Sequence, residues 1–191
     1  MNLGVLPVDL VSASGHKFHG PKGVGLLYIR DGLAVGPLLH GGGQEGSRRA
    51  GTEHVAGIVG FARALTIAKR DFEQESSRIR HLQYYLHRLL AEVIPGLRVN
   101  GDPLHGLYTV LSVSLPKTEV TDSLLWQLDT HGICVSGGSA CSAGANSHVM
   151  TALGREDRVA IRFSMSKWNT EKEVQKVAGV MEKLVNKGVA V

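Results

Sequence analysis

Residues Thr52 to about Val93 carry one continuous helical pattern, and a helix of that length outruns any single small core. Val55, Ile58, Val59, Ala62 and Leu65 form one apolar face at its start. Ile79, Leu82, Leu86, Leu89, Leu90 and Val93 form another at its end. Between them, Lys69 to Arg80 is rich in charge and thin in apolar residues. The spacing predicts one long helix, or two nearly collinear ones, crossing from one domain to another, with a polar middle that neither core touches. Pro95-Gly96 ends it. The chain therefore divides into residues 1–70 and a compact α+β unit of residues 71–191.

Ahead of the helix, residues 5–14 and 24–30 read as two buried strands. A parallel strand needs neighbours on both sides, and few are on offer, so the chain reads as one that begins in the middle of a sheet. Between the strands lies Ser14-Gly15-His16-Lys17-Phe18-His19-Gly20-Pro21-Lys22-Gly23. Lys17 is either a solvated turn residue or an amine desolvated at a strand end, where a lowered pKa makes it a nucleophile toward carbonyls. A second glycine cluster runs from Gly41 to Thr52. Its amides are placed to cradle an anion, with Arg48, Arg49 and Thr52 as further donors, or it is a flexible surface loop. The Gly-Lys-Ser/Thr ending of a Walker loop is absent.

Beyond the helix the pattern predicts strands at 97–99, 109–115, 133–136 and 160–165. It predicts helices over Thr118–His131 with Gly132 as the stop, over 147–153, and from Thr170 to a close at Gly188. Thr170 and Glu173 have capping-box spacing. A third glycine cluster, Gly137 to Ala145, contains Cys141. That thiol is either an accessible thiolate near a helix start or an inert small residue in a tight turn. Arg162 stands alone in an apolar strand, where a guanidinium calls for a carboxylate partner, structural or bound.

Composition narrows the class. The chain is 43% hydrophobic and 20% charged, a globular balance. Net charge is +4 with acids among the bases and no aromatic-interleaved basic stripe, which argues against nucleic-acid binding. No apolar run approaches the roughly 20 residues of a membrane span. Two cysteines, Cys134 and Cys141, make no disulfide framework, nine histidines show no zinc spacing, and no signal peptide opens the chain. A reducing, cytoplasmic setting is expected, with no metal.

Four stretches then fall into order. Ser14-Gly15-His16-Lys17 with Gly20-Pro21-Lys22-Gly23 resembles the pyridoxal-phosphate lysine motif of class V aminotransferase-fold enzymes. Gly41-Gly42-Gly43-Gln44-Glu45 with Arg49-Ala50-Gly51-Thr52 resembles the glycine-rich loop of cysteine desulfurases. Ser139-Ala140-Cys141-Ser142 resembles their cysteine loop, and Ile161-Arg162-Phe163-Ser164 their substrate-carboxylate strand. The resemblance is to the desulfurases that serve iron–sulfur cluster assembly.

It implies an α/β chain, the C-terminal part of a type I pyridoxal-phosphate transferase fold, with a remnant of the large-domain sheet and a complete small α+β domain. It implies pyridoxal 5'-phosphate held by Lys17 as a Schiff base, with Ser14 and His16 on its phosphate. Thr52 would reach the phosphate of the other subunit in a homodimer. Arg162 would bind the carboxylate of L-cysteine, and Cys141 would take its sulfur as a persulfide for an acceptor or scaffold protein, leaving alanine. The family's ring-stacking histidine and ring-nitrogen aspartate have no counterpart, because sixteen residues precede Lys17. Met165-Ser166-Lys167-Trp168-Asn169 departs from the family's leucine–glycine–arginine continuation. A selenocysteine lyase, another enzyme of the fold, or a non-catalytic interaction module are the alternatives.

Overall fold

The computed structural model describes residues 2–102, 105–137 and 148–187. They fall into two compact units, Met1–Phe72 and Glu73–Val191, and the division lies within one long helix.

In the first unit, strand β1 (Leu10–Ser14) pairs antiparallel with β2 (Gly25–Ile29), Leu10 opposite Ile29 and Ser14 opposite Gly25. This corrects the expectation of buried strands in a parallel sheet. The connection, residues 15–24, is shorter than the crossover of about a dozen residues that a parallel pair requires. Nor are the strands buried: Leu10, Leu26 and Leu27 are exposed. The apolar runs report a capacity for burial and say nothing of the partner. Arg30 ties down the segment before β1, donating to the Leu6 and Val8 carbonyls and pairing with Asp9 at 3.1 Å. Residues 33–43 are irregular, and a single turn, α1 (Gln44–Ser47), follows.

Helix α2 (Val55–Val93) is unbroken over 39 residues, so the single-helix form of the sequence reading is the observed one. It spans about 58 Å at the usual rise per residue. Its late apolar face, Leu82, Leu86, Leu90 with Ile94, enters the core of the second unit.

That unit is built on an antiparallel sheet in the order β3 (Arg98–Val99), β4 (Val110–Pro116), β5 (Arg158–Ser164). Arg98 lies opposite Ser114, and Ser112 opposite Arg162. Strand alternation divides the sheet into two faces. Leu111, Val113, Leu115, Ile161 and Phe163 join the α2 residues in the core. Ser112, Ser114, Ala160 and Arg162 occupy the other face. Leu124 and Leu128 complete the core with Val174 and Met181.

The helix predicted over Thr118–His131 is two: α3 (Glu119–Asp122) and α4 (Leu124–Thr130). Ser123 breaks it, with non-helical backbone and its hydroxyl donating to the Val120 carbonyl, a local bond that competes with the helix ladder. Gly132, at φ 68°, closes α4. The strand predicted at 133–136 is reduced to one bridge, Ser136 to Arg162. Helix α5 covers His148–Ala152 and α6 Glu171–Lys187. The predicted capping box is present: Glu173 N donates to Thr170 Oγ1, and Thr170 N to Glu173 Oε2 at 2.7 Å. Gly188, the expected stop of α6, lies outside the described residues. Among the described residues no helix is long and apolar enough to cross a membrane.

Candidate active site

Lys17 sits on a 3-10 turn, Gly15–Phe18, that leaves β1 directly. Close packing against the start of α2 fixes the turn. A Cβ on Gly15 would lie 2.9 Å from the Pro21 carbonyl oxygen and 3.1 Å from the Phe61 ring. One on Gly60 would lie 2.6 Å from Pro21 Cγ, a ring atom with little room to give. Only glycine fits at either place. Phe18 points inward and meets Phe61 edge to face, centroids 4.9 Å apart. With Phe18 turned in, Ser14, His16 and Lys17 are all exposed. Of the two readings left open for Lys17, the buried amine is therefore not the one found, because the strands flanking it are themselves exposed. Lys17 makes no hydrogen bond or ion pair among the described residues.

The second glycine cluster is partly tied up by its own bonds. Four of its amides already have internal acceptors: Ser47 N bonds the Gly43 carbonyl, Arg48 N that of Glu45, Ala50 N that of Leu39, and Gly51 N the Gln44 side chain. They are not free to cradle an anion. Arg48, Arg49 and Thr52 line a groove beside β2, together with Leu27, His54 and Phe61. Ser14, His16 and Lys17 are not part of its lining. The structure thus places Ser14 at the end of β1, His16 and Lys17 on the turn that follows it, and Thr52 in the lining of this groove.

Arg162, in the second unit, is held by its backbone from both sides. It pairs with Ser112 of β4, and exchanges bonds with Ser136, at 2.7 Å from its own N to the Ser136 carbonyl. Its Nε is buried without a hydrogen-bond partner, and no carboxylate pairs with the guanidinium among the described residues. A buried donor left in that state costs on the order of 1–3 kcal/mol until something accepts from it. Cys141 lies outside the described residues. Among the described residues no group of His, Cys, Asp or Glu is placed to hold a metal ion.

The sequence matches the aminotransferase class-V family over residues 1–177. The chain belongs to the aminotransferase class-V family. Its relatives include the cysteine desulfurase IscS of Dictyoglomus turgidum, 39% identical over 192 residues that cover 98% of this chain and 48% of that protein. The IscS of Methanosarcina thermophila is 41% identical over 187 residues, covering 95% and 46%. Among solved structures, a NifS-like protein superposes with a TM-score of 0.83 at 39% identity, covering 97% of this chain and 48% of that one. A NifS-like protein from Rickettsia africae gives 0.84 at 30% identity, covering 97% and 50%. The chain thus spans about half the length of the curated relatives it matches. The class-V fold and its mixed α/β layout are those the motifs imply, and class-V aminotransferases and cysteine desulfurases are pyridoxal-phosphate dependent.

The residues present suit that cofactor. An exposed, unpaired lysine amine on a turn locked by packing can be reached by a carbonyl group, and a hydroxyl and an imidazole beside it are ordinary phosphate donors. What periodicity did not reveal is the support beneath: Gly60 and Phe61 fall outside the apolar face that the spacing marks at the start of α2, and Phe61 is buried where Val55, Ile58, Val59 and Leu65 of that face are exposed.

Proposed function

We propose that this chain carries the lysine, substrate-binding and sulfur-accepting parts of a cysteine desulfurase, which removes sulfur from L-cysteine to give alanine. The observation that carries the proposal is the buried, unpartnered Nε of Arg162 on a strand fixed from both sides. A guanidinium in that state is preorganised for a carboxylate, and the amino-acid substrate brings one. Lys17 anchors the cofactor through its amine, with Ser14 and His16 on the phosphate. Bound there, pyridoxal 5'-phosphate supplies an electron sink for the carbon that loses its proton. Lys17, released when the substrate amine takes its place, moves protons as a general base and acid. Cys141, as thiolate, bonds to the substrate sulfur while the carbon–sulfur bond breaks, and holds the sulfur for an acceptor protein of the iron–sulfur assembly kind. The working form is a cytoplasmic homodimer in which Thr52 serves the phosphate of the opposite subunit.

The test is spectroscopic. Incubated with pyridoxal phosphate, the purified chain develops a visible absorption band that Lys17→Ala removes. Arg162→Ala keeps the band but loses its response to added L-cysteine. A chain with no band at saturating cofactor, or a band that survives Lys17→Ala, overturns the proposal. For the thiol, Cys141→Ser abolishes retention of labelled sulfur from cysteine, and continued labelling reassigns that role.

A further inference from the structure

The polar face of the second unit's sheet holds more arginine than a carboxylate-binding strand needs. Arg98 stands opposite Ser114 on the edge strand β3. Arg158 reaches across from β5 to the same place, its Nε donating to Ser114 Oγ at 3.2 Å and its Nη2 to the carbonyls of Ser114 and Gly96. Arg155 closes on the next residues of β3, donating to the Val99 carbonyl and to Asn100 Oδ1. Asn100 bonds in turn to Ser112 Oγ, across the strand from Arg162. Arg155 and Arg158 therefore donate to residues 96–100 and to Ser114, the residue opposite Arg98, on the face that carries the small residues Ser112, Ser114 and Ala160.

Their partners are all neutral. None of Arg98, Arg155 and Arg158 makes an ion pair among the described residues, although Glu156 and Asp157 are their neighbours in sequence. Arg98 is exposed, and its side chain makes no hydrogen bond among the described residues. The crowding registers on Arg158, where burial and then the Arg98 charge lower the pKa, while Asp157 opposes the change. Backbone carbonyls satisfy the N–H groups without cancelling the charge, so the repulsion stands until an anion arrives.

We propose that the sheet face bearing Arg98, Arg155 and Arg158 is a docking surface for a carboxylate-rich segment of a partner protein. Charge complementarity carries the assignment, since guanidinium forks match carboxylates in pairs. Cross-strand neighbours stand about 5 Å apart, a spacing that side-chain carboxylates can follow. The sheet residues of this face include no aromatic ring for bases to stack on, which sets a protein ahead of a single-stranded nucleic acid. The proposal does not depend on Lys17, Cys141 or the desulfurase reading.

The full chain and a fluorescein-labelled hexaglutamate peptide test it by anisotropy. Binding is expected to weaken steeply with salt. Arg98→Glu is expected to weaken it by about tenfold, as reversal of one facing charge does, and Arg98→Lys by no more than about threefold. Arg98 has no structural bond to lose, so these variants fold. Arg63→Glu, an equal charge change at an exposed position of α2 in the first unit, leaves binding unchanged. Equal affinity for wild type and Arg98→Glu overturns the proposal. So does an equal loss in Arg63→Glu, which marks attraction to net charge alone. Competition by a single-stranded oligonucleotide at lower concentration than the peptide overturns it in favour of nucleic acid.

Discussion

The two units differ in how completely they close. In the second, Leu90, Val113, Leu115, Leu124, Leu128, Ile161 and Met181 are fully buried in one connected cluster. In the first, Phe61 and Ala64 are the buried hydrophobics among the described residues. Large apolar side chains there face solvent instead: Val5, Leu10, Leu27, Leu38 and Val59 among them, Leu38 at 92% exposure. Apolar burial is the main favourable term in folding, so the second unit carries most of the stability. The lysine turn belongs to the other unit and depends on one local clamp. The residues proposed for cofactor attachment therefore sit on the less secured unit, while Arg162, proposed for the substrate carboxylate, sits on the sheet of the better packed one.

The largest expected effect that can break this contrast is in the core. Leu128→Ala or Met181→Ala should cost about 2–5 kcal/mol in urea denaturation, and Leu38→Ala within about 0.5 kcal/mol. Similar costs at Leu128 and Leu38 would erase the distinction. Next comes the clamp. Gly60→Ala places a Cβ against Pro21 and should cost the first unit about 1–3 kcal/mol, read as faster amide exchange at residues 15–24 with little change around β4. It should also weaken the cofactor band without touching Lys17. Smaller still is the start of α6. Thr170→Ala should cost about 1 kcal/mol, borne by the second unit alone. The smallest effect is a pH dependence. The Thr170 backbone amide holds the Glu173 carboxyl below its ordinary value of 4.5. A lowered folded pKa means that its stabilisation is present above the ordinary carboxylate range and is lost as pH falls through the lowered value. Glu173 is exposed, so screening keeps this to a few tenths of a kcal/mol. Glu173→Gln should remove that part of the acid sensitivity in a pH series of urea melts.

What could be read from residue order follows the same division. The extent of helix α2, the capping box at Thr170 and the inward leucines of the second unit are local signals, set by propensity and period, and they stand in the structure as the spacing implies; the early apolar face of α2 does not, since Val55, Ile58, Val59 and Leu65 are exposed and Phe61 and Ala64 are buried instead. The direction and exposure of β1 and β2 were not legible, since an apolar run fixes neither the partner strand nor what covers it. The break at Ser123 turns on one hydroxyl bond that competes with a helix period still intact on either side. At the candidate site, Lys17, Ser14, His16, Thr52 and Arg162 are proposed by motif, but their surroundings were not legible. That the Ala50 and Gly51 amides are internally bonded, and that Arg162 Nε lacks an acceptor among the described residues, are facts of three-dimensional packing. Arg98 lies too far from Arg155 and Arg158 in the chain for any spacing rule to join them; the registers of β3 and β5 on β4 do so.

The arginines on β3 have one more effect, on self-association. A sheet edge is a template for a foreign strand because its carbonyls and amides stand unpaired. On this edge the Gly96 and Val99 carbonyls are taken by Arg158 and Arg155, and β3 is only two residues long. An incoming strand meets charge and finds two acceptors already bonded. The β1–β2 pair has no such guard among its described residues, and Leu10 and Leu27 stand exposed on it. If the protein aggregates, the first strands to add should do so at β1 and β2, while the sheet that holds the core stays capped by its own side chains.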